Sequence, residues 1–225
     1  MKIIIITGAS RGIGLATAKK FLAEGWRVVG TYLNKPPPIN SQDFISIRFD
    51  QGNSESIRQT AEEIKKIAPN IDALVNNAAI ILDRQDITVN LEKVRKTFEV
   101  DLFGLINFTE QLLPLMSAGA HIVNIDSQYG SFSFPIDDQK ATAYRLAKAA
   151  LNMYTRTLAF RLEPQAIIVS SLDPGWVKTD MGYGVATDTE KPDREPEQPA
   201  EEIYKLVTTV TESGHFWRFG EKRQW

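Results

Sequence analysis

The 225-residue sequence has no cysteine and only two histidines, which excludes disulfides, thiolate metal ligands and a cysteine nucleophile together. His121 opens the apolar run Ile122–Ile125 and reads as a strand-edge residue, while His215 has no second ligand near it. No metal site is therefore expected. An excess of one charge is missing too: 26 Lys and Arg stand against 28 Asp and Glu, and no basic stripe appears, so nucleic acid is not an expected partner. No apolar run reaches the length of a membrane span, and Ile3–Ile6 is too short for a secretory leader, so a cytoplasmic chain without membrane contact is expected. No shift in composition divides the chain, which predicts one domain over 1–225.

What is present is a rhythm. Apolar, β-branched runs recur at Ile3–Ile6, Arg27–Tyr32, Phe44–Phe49, Ala73–Val75, Ile122–Ile125 and Ile167–Leu172, and helical patterns over 13–24, 54–67, 91–116 and 142–162 fall between them. Strands apolar on both faces fit a parallel sheet covered by helices on both sides, so the fold class is α/β, a Rossmann-type doubly wound sheet. In such a sheet ligands gather at the carboxyl ends of the strands. The polar, proline-bearing stretch 182–199 has no apolar period and reads as a mobile loop, either a solvated excursion or a lid over a substrate cleft.

The first strand runs into Thr7-Gly8-Ala9-Ser10-Arg11-Gly12-Ile13-Gly14 and then a helix. Gly8 permits a tight turn, Gly12 lets an anionic ligand approach the backbone, and Gly14 lets the helix pack closely on the sheet. Free N–H groups at the helix start attract negative charge, so a nucleotide diphosphate is expected there. The end of the second strand carries Tyr32, Leu33, Asn34 and Lys35 and no carboxylate, and Arg11 offers a fork of donors suited to a phosphate. Together these favour NADP(H), with NAD(H) as the alternative.

Tyr144 and Lys148 lie four residues apart at the start of a helical pattern and so share one face. An ammonium beside a phenol stabilises the phenolate and suits acid-base work. Ser127 follows the strand Ile122–Ile125 at the sheet edge where the glycine turn lies. With Asn76-Asn77-Ala78 after the fourth strand and Pro174-Gly175 after the sixth, the set resembles the short-chain dehydrogenase/reductase family in order and over nearly the whole chain. The stretch Asp173–Gly182, the ending Ser213–Trp225 and the long gap between Ser127 and Tyr144 resemble its C-factor and sniffer-type carbonyl reductase branch.

The resemblance implies an oxidoreductase that interconverts a carbonyl compound and an alcohol. Tyr144 is then the general acid or base, Lys148 lowers its pKa and holds the nicotinamide ribose, and Ser127 orients the carbonyl. Asn76 and Ala78 are assigned to the adenosine and ribose side, Asp50 to the adenine edge and Thr179 to the carboxamide. Gly8, Ser10, Arg11, Gly12, Ile13, Gly14, Tyr32, Asn34, Lys35, Pro174, Gly175 and Val177 complete the implied cofactor contacts. Trp176, Met181, Tyr183, Tyr129, Ile81 and Leu82 would surround a small, apolar or aromatic substrate. Helix 142–162 is apolar on several sides, and relatives often dimerise through this element, so a homodimer or homotetramer is expected.

Three positions depart from the family pattern: Ala79 stands where glycine is usual, Asp101 where a helical asparagine helps relay protons, and Asp126 where serine is common. Asp101 is thus the fourth candidate catalytic residue. Two acids near Tyr144 oppose phenolate formation, which predicts an alkaline-shifted activity. The rival reading, a nucleotide-binding sensor that kept the fold with little turnover, draws on Asp101 and is opposed by the intact Ser127, Tyr144 and Lys148.

Overall fold

The computed structural model describes every residue except Asp137, Val185, Thr187 and Asp188. β1 (Ile3–Ile6) lies between β2 (Arg27–Tyr32) and β4 (Ile71–Asn76), with β3 (Phe44–Arg48) beyond β2. On the other side follow β5 (Met116–Ile125), β6 (Ile168–Asp173), β7 (His215–Arg218) and β8 (Glu221–Arg223). The order is β3-β2-β1-β4-β5-β6-β7-β8, parallel throughout except for the final β7–β8 hairpin.

Alternation along β1 explains why the strand is isoleucine throughout. Ile5 faces a core layer built with α2 (Ser54–Ile67), α4 (Leu105–Leu112) and α5 (Thr142–Leu162), while Ile4 and Ile6 face the layer of α1 (Gly12–Ala23) and α7 (Glu197–Thr209). All three are fully buried, and each such side chain contributes about 1.5–3 kcal/mol by leaving water. The strand order reverses between β1 and β4, which opens a crevice at their carboxyl ends.

Several sequence expectations need correction. The pattern over 91–116 is not one helix: α3 (Leu91–Phe98) passes through a π-helical turn at Glu99–Gly104 into α4, and a 3-10 turn with Pro114 leads directly into β5. His121 is not at a strand edge, because β5 begins at Met116; it is buried in the central sheet with Nε2 2.9 Å from Ser170 Oγ. Burial pushes its pKa down to about 4, so it stays neutral.

The loop expected over 182–199 is shorter than that. Gly182 and Tyr183 close α6 (Asp180–Tyr183), residues 197–199 open α7, and the Arg194 carbonyl accepts the Lys178 N–H at 2.8 Å. Part of that loop, at 185, 187 and 188, lies outside the described residues.

Candidate active site

The crevice is a cavity of about 1100 Å³ along the carboxyl ends of the strands. Thr7 is buried behind the glycine turn that borders it. Its hydroxyl oxygen accepts the N–H groups of Asn77 and Ala78, both at 2.9 Å, and Asn77 Nδ2 donates back to the Thr7 carbonyl at 2.8 Å. The glycine turn is thereby fixed to the loop after β4. Gly14 packs against the same clamp, since a Cβ there would lie 2.3 Å from the Gly8 carbonyl oxygen.

Gly8 and Gly12 hold left-handed backbone angles, with φ of 69° and 54°. A Cβ on Gly12 would meet the Thr179 methyl at 2.9 Å, so the turn and the Thr179 loop form a narrow cradle. Arg11, the residue before α1, is extended and gives the helix no side-chain cap, which leaves first-turn N–H groups free for a ligand. A dinucleotide diphosphate fits these features. The Arg11 guanidinium pairs with Asp180 at 2.5 Å, joining the turn to α6 across the cradle.

Of the residues assigned to a cofactor, Gly8, Ser10, Arg11 and Gly12 border the cavity at one end, with Tyr32, Asn34, Lys35 and Asp50 beside them. Ala78, Tyr144 and Lys148 line its middle, and Pro174, Gly175, Val177 and Thr179 line the side below α6. Ile13, Gly14 and Asn76 do not reach it. Ile13 packs into the α1 core layer, and Asn76 is buried, donating to Thr109 Oγ1 at 2.9 Å and Asn124 Oδ1 at 2.8 Å. Asn76 is thus a tie between β4, β5 and α4 rather than an adenosine contact.

Ser127 follows β5, and Tyr144 and Lys148 rise on the first turns of α5. Ser127 and Tyr144 line the cavity together, and the Ser127 hydroxyl acts to lower the phenol's pKa. Lys148 Nζ is 5.5 Å from the centre of the Tyr144 ring and donates to the Ile125 carbonyl at 2.7 Å. That bond holds a buried ammonium beside the phenol.

Asp101 does not border the cavity. The π-helical turn points it inward, where Oδ1 accepts the Ile80 N–H at 2.9 Å and Oδ2 has no partner. Burial raises its pKa to about 7 against the pull of Lys148. Asp126 differs in bordering the cavity and in having both oxygens occupied, by Ser127 N and Ser171 Oγ, but burial likewise raises it to about 7. Burial first, then the charges of Asp101, Asp126 and Asp173, hold the Tyr144 phenol well above its ordinary value, opposed by the Ser127 hydroxyl.

Tyr129, Trp176, Met181 and Ile81 border the substrate end, whereas Tyr183 and Leu82 do not. The sequence reading missed Asp83. Its carboxylate is buried and accepts the Ala143 N–H at 2.5 Å, and its carbonyl accepts the Ala141 N–H at 3.2 Å. Ala141, the residue before α5, is left-handed and has no capping side chain of its own, so Asp83 caps the helix that carries Tyr144 from sixty residues away. Only an unexplained acid after Asn-Asn-Ala marks it in the sequence. Arg84, Lys140 and Arg218 also border the cavity unforeseen.

Residues 2–190 match the family described as short chain dehydrogenase. The chain belongs to the short-chain dehydrogenase family. Protein FixR of Bradyrhizobium diazoefficiens is 34% identical over 194 residues, covering 80% of this chain and 68% of that one. Dehydrogenase/reductase SDR family member 7B of Xenopus laevis is 27% identical over 239 residues, covering 91% and 70%. Among solved structures, a short chain dehydrogenase from Burkholderia cenocepacia in complex with NADP shares the fold at a TM-score of 0.83, with 23% identity over 96% of this chain and 95% of that one. The structural likeness thus takes in more of the chain than residues 2–190.

Proposed function

We propose that this short-chain dehydrogenase interconverts a carbonyl compound and an alcohol with NADP(H), using Tyr144 as general acid or base. The observation that carries the reading is the convergence of Ser127, Tyr144 and Lys148 on one cavity wall, with Lys148 Nζ held by the Ile125 carbonyl 5.5 Å from the centre of the Tyr144 ring. A bound nicotinamide cofactor supplies or accepts the hydride. In reduction, the Ser127 hydroxyl donates to the substrate carbonyl oxygen and Tyr144 gives it a proton; in oxidation the Tyr144 phenolate takes that proton back. Lys148 favours the phenolate, and Asp101 and Asp126 oppose it once ionised. This complete set supports turnover over the sensor reading.

NADP(H) is supported by Tyr32, Asn34 and Lys35 at the cavity wall without a carboxylate among them. The NADPH-dependent 1-acyldihydroxyacetone phosphate reductase of Schizosaccharomyces pombe, 30% identical over 185 residues, has a name consistent with that choice. The Arg11–Asp180 pair engages part of the guanidinium fork, so Lys35 and Asn34 carry more of the phosphate contact than the sequence implies. The C-factor and sniffer-type resemblance supports a carbonyl reductase. Assembly through α5 is supported by its exposed Leu146, Met153 and Phe160, the last 81% exposed, and sedimentation should give a dimer or tetramer.

The test is oxidation of NADPH and NADH against aldehydes, ketones and quinones. NADPH should bind more tightly, and Tyr144→Phe should lower turnover by roughly 10²- to 10⁴-fold. A Tyr144→Phe protein as fast as the parent would defeat the assignment.

A further inference from the structure

Among the described residues, two cations at the substrate end of the cavity have no carboxylate paired with them. Arg84, between β4 and α3, and Lys140, just before α5, are both half-buried at its wall. Among the described residues neither side chain has an ion-pair or hydrogen-bond partner. The nearby acids are engaged elsewhere: Asp138 with Arg145 at 2.9 Å, Asp173 with Arg218 at 3.1 Å and Asp180 with Arg11 at 2.5 Å, while Glu190 has interactions of its own. A partly desolvated cation without a counter-charge is costly unless a ligand brings one.

The Asp83 junction brings these cations to the reactive end. Its carboxylate and carbonyl bind the backbone of Ala143 and Ala141, so Arg84, Lys140 and Tyr144 are the chain neighbours of one hydrogen-bonded knot. The Arg84 guanidinium occupies the space beside Gly184, after α6, that a Cβ there would fill: it would fall 1.3 Å from Nη1. Glycine at 184 leaves the guanidinium its place.

Resting on the carbonyl–alcohol reading above, we propose that the substrate bears a carboxylate, bound by Arg84 with help from Lys140, and an apolar body between it and the carbonyl. Arg84 offers a planar fork that matches a carboxylate, and Ile81, Trp176 and Met181 supply the apolar wall.

The test uses para-carboxybenzaldehyde and its methyl ester with NADPH. The acid should exceed the ester in kcat/KM through a lower KM. Arg84→Gln should reduce that ratio by roughly 10- to 100-fold, the range expected when a charged hydrogen bond is lost, and Arg84→Glu should reverse it. Gly184→Ala, at a φ of −66° that alanine adopts freely, should displace the guanidinium and raise KM for the acid alone. Terephthalate titrated into the NADP-saturated protein measures the anion contact without turnover. If both aldehydes are reduced and Arg84→Glu leaves the ratio unchanged, the carboxylate site is overturned while the oxidoreductase reading stands. If neither is reduced but terephthalate binds and Arg84→Glu abolishes that binding, the site stands and the reaction is wrong. Reduction of neither with no terephthalate binding overturns the carboxylate site.

Discussion

The Asp83 carboxylate accepts the Ala143 N–H at 2.5 Å, one residue before the phenol proposed to move the proton. Helix α5 starts from a left-handed alanine with no cap of its own, so its first turn and the aim of Tyr144 depend on this remote acid.

Asp83→Ala should cost about 1–2 kcal/mol, the upper range for a lost helix cap. In a chain of this size that lowers Tm by roughly 2–8 °C. Asp83→Asn keeps an acceptor and should restore part of the loss. Thermal melting of both variants checks this, and equal melting of Asp83→Ala and parent would refute the cap.

The pH dependence follows from two buried acids. Asp101 and Asp126, each raised to about 7, ionise near neutrality and place negative charge by Tyr144. Asp101→Asn removes one charge, so the rising limb of alcohol oxidation should move to lower pH. Stability moves too. A carboxyl whose folded pKa lies above its ordinary 3.8 favours the folded state below that value, and the contribution is lost as pH rises through about 7. Asp101→Asn should therefore gain stability relative to the parent at pH 8, read by denaturant melts; a pH–rate curve that does not move would count against the charge effect.

Asn76 separates scaffold from ligand contact. It joins a buried chain in which Asn124 Nδ2 also donates to Thr155 Oγ1 at 2.8 Å, linking β4 and β5 to α5. Asn76→Ala should cost about 1–3 kcal/mol from unpaired buried groups. Cofactor affinity, followed by fluorescence titration, should change far less; a large loss of affinity in a normally stable variant would return Asn76 to the ligand.

Gly14→Ala should weaken folding and cofactor binding together. The added carbon meets backbone, the Gly8 carbonyl oxygen at 2.3 Å, and cannot be relieved by a side-chain rotation. Melting and titration of the variant should both shift, and an unperturbed glycine turn would be unexpected.

Much of the fold was legible because its strands are buried on both faces and so appear as unbroken β-branched runs, as Ile3–Ile6 does. Where a strand begins in exposed small residues the signal fails: Ser117, Ala118 and Gly119 hid the first half of β5. Helix α7 was overlooked although Ala200, Ile203 and Leu206 keep a helical period, because proline and acids dominate the stretch before it. Nothing local announces the π-helical turn. Tyr144 and Lys148 share a helix face by spacing alone, but the remote cap by Asp83, the inward turn of Asp101 and the core role of Asn76 depend on contacts between segments distant in sequence.

The sheet ends on one side at β8, where Glu221, Lys222 and Arg223 are all exposed and all charged. Such a margin repels the approach of another chain's backbone, and its outermost ribbon is only three residues long. Crowded or partly unfolded copies of this protein therefore have little purchase for building fibres from that border, and self-association there is disfavoured without any partner to shield it.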